Sequence, residues 1–127
     1  MAKITPEMRE FLKQERCLVV TADREGRPNL AVKGSTMVID EETLAFGELY
    51  GGKTYQNILG NPQVMMVVAN LNTMTGYRFS GKGELVNSGS LFDKFADFFA
   101  GMGKPRPVAV VQVKINEIMD LRGNRLE

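Results

Sequence analysis

The sequence predicts a mainly β domain with short helices, a six-stranded antiparallel barrel, and three observations lead there. Six extended segments rich in β-branched and aromatic residues are joined mostly by tight turns. Helical spacing is confined to short stretches, too few to wind a parallel sheet. No repeat or low-complexity linker divides the 127 residues, and 43% hydrophobic with 24% charged composition fits one domain over residues 1–127.

Thr5-Pro6-Glu7 reads as an N-cap, a first-turn proline and an acid at the positive end of a helix, followed by Met8, Phe11 and Leu12 at helical spacing. Cys17 to Ala22 is a strand, and the turn-rich run Asp23 to Pro28 leads into a second strand from Leu30 to Ile39. Asp40-Glu41-Glu42 turns the chain into a third strand at Thr43 to Gly47. Lys53 to Leu59 has room for about two helical turns before Asn61-Pro62 stops them. Gln63 to Leu71 is nearly continuously apolar, the pattern of a central strand, with Met65 and Met66 as core fillers. From Gly76 to Val86 apolar and polar residues alternate more openly, one face buried and the other wet. Ser88 or Ser90 can cap a helix whose Leu91, Phe92, Phe95, Phe98 and Phe99 form one apolar face, suited to cover a barrel end and less so to meet a partner. Gly101 and Gly103 end it, and Val108 to Ile115 is a last strand that can extend to about Leu121. The polar tail Asp120 to Glu127 is expected to fray or to fold over a neighbouring subunit.

Composition excludes several function classes. Sixteen Lys plus Arg against fifteen Asp plus Glu leave a formal charge of +1, so no whole-protein field draws nucleic acid or an anionic membrane. Cys17 is the single cysteine, which excludes an internal disulfide and a thiolate metal cage and suits a reducing compartment. With neither a signal-peptide pattern nor an apolar run of membrane length, the protein is expected to be soluble and cytoplasmic. Histidine is absent, which removes Ser-His-Asp, Cys-His and His-metal chemistry. No metal site is expected, no catalytic side chain stands out, and redox or group-transfer chemistry would have to come from a bound cofactor.

Gly47, Gly52, Lys53 and Thr54 satisfy the G-x-x-x-x-G-K-[ST] pattern of a phosphate-binding P-loop. The context argues against a nucleoside triphosphatase. The following helix is short, and the next strand ends near Asn70 without the acid that would hold magnesium. The local physics needs no triphosphatase fold. Gly51 and Gly52 allow backbone to approach an oxyanion, the first helical amides point at it, and Lys53 and Thr54 add a charge and a hydroxyl. The same residues also read as a plain glycine turn with Lys53 in solvent.

The ordered set of an N-terminal helix, the Arg24-Glu25-Gly26-Arg27-Pro28 turn, the Thr43 to Phe46 strand and Lys53-Thr54-Tyr55-Gln56-Asn57 before Asn61-Pro62 resembles the FMN-binding split-barrel family. That family includes pyridoxamine 5'-phosphate oxidase and small bacterial FMN-binding proteins. The resemblance implies a six-stranded antiparallel split β-barrel of Greek-key type that binds FMN and works as a homodimer with the cofactor site at the subunit interface. It implies that Lys53 and Thr54 hold the phosphate, aided by Lys33 and Ser35 around Gly34, while backbone at Glu48, Leu49 and Tyr50 edges the flavin ring near Gly51 and Gly52. Lys33 reads equally as a solvated strand charge and Ser35 as an outward polar residue, and Tyr50 either stacks on the ring or closes the turn. The oxidases proper are longer and carry a histidine in the stretch that engages pyridoxal, whereas Asp120 to Glu127 has none. The resemblance therefore implies an FMN-dependent oxidoreductase or electron carrier that acts on an unidentified small molecule or electron donor. Within the same fold the alternatives are binding of the deazaflavin F420, binding of haem, or a dimeric module without catalysis.

Overall fold

Thr5 starts the first helix as its sequence suggests. In the computed structural model, which describes residues 2–127, α1 spans Pro6–Gln14 and the Thr5 hydroxyl accepts from the Met8 amide at 3.2 Å. Met8 returns its sulfur to the Thr5 amide and buries its side chain, with Phe11 and Leu12 packed against the same core.

The hairpin that follows is held by one side chain. Asp23 Oδ1 accepts from the amides of Glu25 and Arg27, both at 2.9 Å, and Oδ2 receives Arg27 Nε at 2.7 Å. Gly26, at φ +83°, takes the left-handed position that the turn requires. These bonds reverse the chain from β1, Cys17–Ala22, into β2, Pro28–Lys33, and the two strands pair antiparallel.

The second strand is shorter than expected. Leu30 to Ile39 is not one strand, because the chain bends at Gly34-Ser35-Thr36 and resumes as β3, Met37–Asp40. The remaining elements are β4 (Thr43–Glu48), α2 (Lys53–Gly60), β5 (Gln63–Asn70), β6 (Thr75–Val86), α3 (Ser90–Gly101) and β7 (Ala109–Asp120). The seven strands form one sheet in the order β2-β1-β5-β6-β7-β4-β3, and every neighbouring pair is antiparallel. The mainly β antiparallel architecture is as expected, but the sheet has seven strands where the split barrel was expected to have six. β2 and β3 stand at opposite ends of the sheet yet are joined by three residues, and four Cα steps reach at most about 14 Å. The sheet must curl until its ends approach, and among the described residues no ladder closes the gap.

Curling creates an inside and an outside. Val19, Leu44, Phe46, Met66, Val68, Phe79, Val111, Val113 and Ile118 fill the inside, and α1 covers one opening with Met8. β4 is buried along its whole length because α3 covers its other face, where Phe92, Phe95, Ala96 and Phe99 pack on Ala45 and Val110. Burial of each large side chain is worth about 1.5–3 kcal/mol, so the Phe-rich face serves as cover for the sheet. Gly47 allows this approach, since a Cβ there would stand 2.3 Å from Phe99 Cε2. The residue that completes the P-loop pattern is thus a packing glycine. The P-loop reading also fails on topology, because β4 and β5, which flank α2, are not neighbours in the sheet.

Two further expectations are corrected. Neither Ser88 nor Ser90 caps α3, whose N-cap is Gly89 at φ +99° with no side-chain bond. The tail is bonded back onto its own β7 and so is no loose end. Asp120 Oδ1 accepts from the amides of Arg122 and Asn124, both at 2.9 Å, and the turned chain returns Leu126 N to Ile118 O at 2.8 Å.

Candidate functional site

Where the curled sheet leaves its gap, the ends of β2 and β4 come together. Lys33 Nζ lies 2.7 Å from Glu48 Oε2, with the lysine side chain 17% exposed and the carboxylate 4%. The contact is an ion pair without hydrogen-bond alignment, so Glu48 Oε2 is buried beside a counter-charge but receives no aligned donor. Ser35 ties the bend to β4, because its hydroxyl accepts from the Gly47 amide at 3.0 Å. The Lys33 ammonium also stands 5.7 Å from the centre of the Phe46 ring.

A groove of about 390 Å³ opens over this join. Of the ten residues singled out in the sequence, Lys33, Gly34, Ser35, Glu48, Leu49, Tyr50 and Gly52 line it. Tyr50 is 78% exposed at the rim. The Glu48 carbonyl accepts from Val108 N at 2.8 Å and is therefore already engaged. Gly51 takes φ +67° and turns the chain toward α2, which begins with Gly52 as a cap that provides no side-chain bond. The amides of the first α2 turn thus face outward uncapped, a positive pole for an anion.

Lys53 and Thr54 stand apart from that groove. Lys53, with its side chain 57% exposed, lines a smaller depression on the other side of the α2 start and lies 3.9 Å from Asp23 Oδ2. Thr54 is buried, and its hydroxyl accepts from Asn29 Nδ2 at 3.2 Å. Its own proton remains available to another acceptor. Asn57 of the same helix donates to Thr21 Oγ1 at 3.1 Å, which docks α2 against β1. The Arg27 side chain bonded to Asp23, together with the amides on the same carboxylate, pulls that carboxyl down to about 2, so it stays charged beside Lys53.

The chain matches the pyridoxamine 5'-phosphate oxidase family over residues 4–122. It belongs to that family. An uncharacterized protein of Methanocaldococcus jannaschii is 32% identical over 126 residues, covering 96% of this chain and 83% of that protein. The crystal structure of HupZ from Group A Streptococcus is similar at 27% identity and a TM-score of 0.90, covering 98% of this chain and 99% of that one. Three solved structures share the fold alone. An FMN-binding protein from Syntrophomonas wolfei has 20% identity and a TM-score of 0.74 over 91% of this chain and 88% of its own. An F420 reductase has 21% and 0.64 over 83% and 89%. HutZ, the heme storage protein from Vibrio cholerae, has 18% and 0.68 over 92% and 94%.

For a member of this family the groove walls add residues that the sequence did not flag. Phe98, Phe99 and Met102 contribute apolar surface from α3 and its end, and Arg16 and Lys104 contribute charge. The i, i+4 spacing of Phe98 and Met102 is visible in the sequence, but nothing local marks that face as a groove wall. Arg16 carries no sequence signal at all. The arrangement combines an apolar wall, a buried carboxylate and lysine at the floor, and an uncapped helix start at one end. It can hold a molecule that is aromatic in one part and anionic in another.

Proposed function

We propose that this member of the pyridoxamine 5'-phosphate oxidase family binds FMN in the groove over Lys33 and Glu48. In this reading it serves as an oxidoreductase or electron carrier for a small molecule, working as a cytoplasmic homodimer. The observation that carries the reading is the uncapped start of α2, which has Gly52 in the groove wall and an exposed Lys53 next to it. First-turn amides and a lysine suit a phosphate dianion, while Tyr50, Leu49, Phe98 and Met102 suit a flat ring.

The buried carboxylate tests the fit. Glu48 Oε2 is buried against Lys33 Nζ at 2.7 Å, so the floor offers a ligand a compensated pair and no free carboxylate oxygen at that atom. A charge-compensated floor, apolar side walls and outward amides at the α2 start suit a flat ring that carries a phosphate, so the residues present fit the group. Bound FMN would supply reversible one- and two-electron transfer. The protein's own residues would bind the phosphate, keep the Lys33–Glu48 pair at the floor and exclude water with the α3 aromatics. Leu30 and Val32, 58% and 56% exposed on edge strand β2, support a second copy of the chain as the cover for this side. Among the described residues no helix is long and apolar enough to cross a membrane, and Cys17 is a free buried thiol that suits a reducing compartment.

A thermal-shift series against FMN, FAD, F420 and haem tests the reading, since a ligand that binds only the folded state raises the melting temperature. FMN is expected to give the largest rise. A larger rise with F420 or haem would replace FMN by that group, and no rise with any would leave the dimeric module.

A further inference from the structure

One wall of the groove over Lys33 and Glu48 is carried by a helix that nothing polar ties to the sheet. Among the described residues no hydrogen bond runs from an α3 side chain to a strand, and the ion pair of Asp93 with Arg106, at 3.8 Å, joins α3 only to the chain that leaves it. The Arg106 guanidinium also lies 4.8 Å from the centre of the Phe92 ring, and Lys104 N donates to Phe99 O at 2.9 Å, so residues 102–106 are bound to α3 and travel with it. What holds the helix down is apolar. Phe92, Phe95, Ala96 and Phe99 pack with Ala45 and Val110 in a cluster separate from the one inside the curled sheet, so this contact can shift while the inner core stays as it is. Apolar contact has no direction, and a helix resting on it can slide or tilt where one pinned by aligned hydrogen bonds cannot.

Both ends of α3 are glycine joints. Gly89 precedes the helix at φ +99° and Gly103 follows it at φ +73°, and a Cβ at either would meet nothing within 4 Å, so neither joint is wedged by a neighbour. The C-terminal half is the one that faces the groove, where Phe98, Phe99 and Met102 form part of the wall. Phe99 sits in the notch that Gly47 leaves, beside Glu48 in the chain and hence at the groove floor. A tilt of that end lifts Phe99 out of the notch and widens the groove, while Phe92 keeps the N-terminal half on the sheet.

We propose that α3 is the hinged wall of this groove: its C-terminal half tilts off the sheet to admit a ligand and settles against the ligand's ring, with Phe99 as the catch. That the ligand is FMN rests on the flavin reading above; the hinge itself does not. Three buried phenylalanines make full detachment too costly, so the motion is a tilt about the glycine joints.

Val110 is fully buried under α3 and Cys17 is buried in the inner core, so a cysteine at position 110 reports the helix while Cys17 reports the rest of the molecule. The test is the rate at which N-ethylmaleimide labels each thiol of full-length Val110→Cys, followed by mass spectrometry with and without saturating FMN, and again with Phe99→Leu added. Ala45→Cys, under the same helix from β4, takes the place of Val110→Cys if that variant does not fold. Position 110 is expected to label at least about tenfold faster than Cys17, and Phe99→Leu to speed it at least about threefold. FMN is expected to slow position 110 at least about fivefold while Cys17 changes less than about twofold. Labelling at 110 as slow as at Cys17 overturns the hinge, and so does a Phe99→Leu variant that labels no faster. FMN whose fluorescence is quenched by the protein but which leaves 110 unprotected, or protects both thiols alike, overturns the coupling of hinge to groove. Fast labelling at 110 in a protein that takes no FMN would instead sink the flavin reading and leave the hinge standing.

Discussion

Replacing Lys33 by Met removes one partner of the ion pair at the groove floor and keeps most of the packing volume. Glu48 would then be a buried carboxylate with neither counter-charge nor aligned donor. At 2.7 Å and an effective dielectric of about 20, the lost attraction is roughly 6 kcal/mol gross. Measured costs of removing one partner of a buried pair are about 3–5 kcal/mol, and the partial exposure of Lys33 places this case near 3. For 127 residues at about 2.1 cal/mol/K each, that lowers Tm by roughly 11 °C. The assay is thermal and urea unfolding of the parent, Lys33→Met, Glu48→Gln and the double variant at pH 7. Lys33→Met/Glu48→Gln should recover most of the loss, because the uncompensated charge is gone. The reasoning is refuted if Lys33→Met costs less than about 0.5 kcal/mol, or if the double variant is as unstable as Lys33→Met alone.

Gly47→Ala should destabilise by about 1–3 kcal/mol, because its methyl group would stand 2.3 Å from Phe99 Cε2; adding Phe99→Leu should restore part of this in the same melts. Burial pushes the Cys17 thiol up to about 11, so it should react with iodoacetamide at pH 8 much more slowly than in denaturant, and labelling at a free-thiol rate would contradict its placement. Asp23 is held at about 2 by Arg27, below its ordinary 3.8; because the folded value is the lower one, its contribution is present above about 4 and fades as pH falls through about 2. Asp23→Asn should therefore flatten the stability profile in that acid window, and an unchanged profile would show that the turn bonds are not formed.

What the sequence discloses follows from how local each signal is. The Thr5 cap, the Asp23 to Pro28 turn and the stop at Asn61-Pro62 each rest on contacts within a few residues and are legible, and the Gln63–Asn70 strand is legible from its apolar run although its partners β1 and β6 are distant. The split of Leu30 to Ile39 is not, because Gly34-Ser35-Thr36 is short and compatible with extended backbone; the bend is held by Thr36 Oγ1 donating to Lys33 O and by Gly47 N donating to Ser35, twelve residues on. The same distance in sequence conceals the site. Lys33 reads as a phosphate ligand or a solvated strand charge and Glu48 only as a backbone edge, and their ion pair shows once the curled sheet brings its two ends together. Gly47 looks like part of a phosphate motif and proves to be a seat for Phe99, a partner 52 positions away that no local pattern could supply. The tail is legible in principle, since Asp120 followed by Gly123-Asn124 is a turn signal of the same kind as Asp23 with Gly26, but its polar composition alone suggests a loose end.

The central claim is that a phosphate at the start of α2 anchors FMN beside the Lys33–Glu48 floor. Fluorescence titration of the purified protein with FMN and with riboflavin, which lacks the phosphate, for the parent and Lys53→Ala, tests it most directly. The account predicts saturable quenching by the parent, FMN bound at least about tenfold tighter than riboflavin, and a Lys53→Ala variant that loses that preference. Equal affinity for the two flavins, or an undiminished FMN preference in Lys53→Ala, would contradict it.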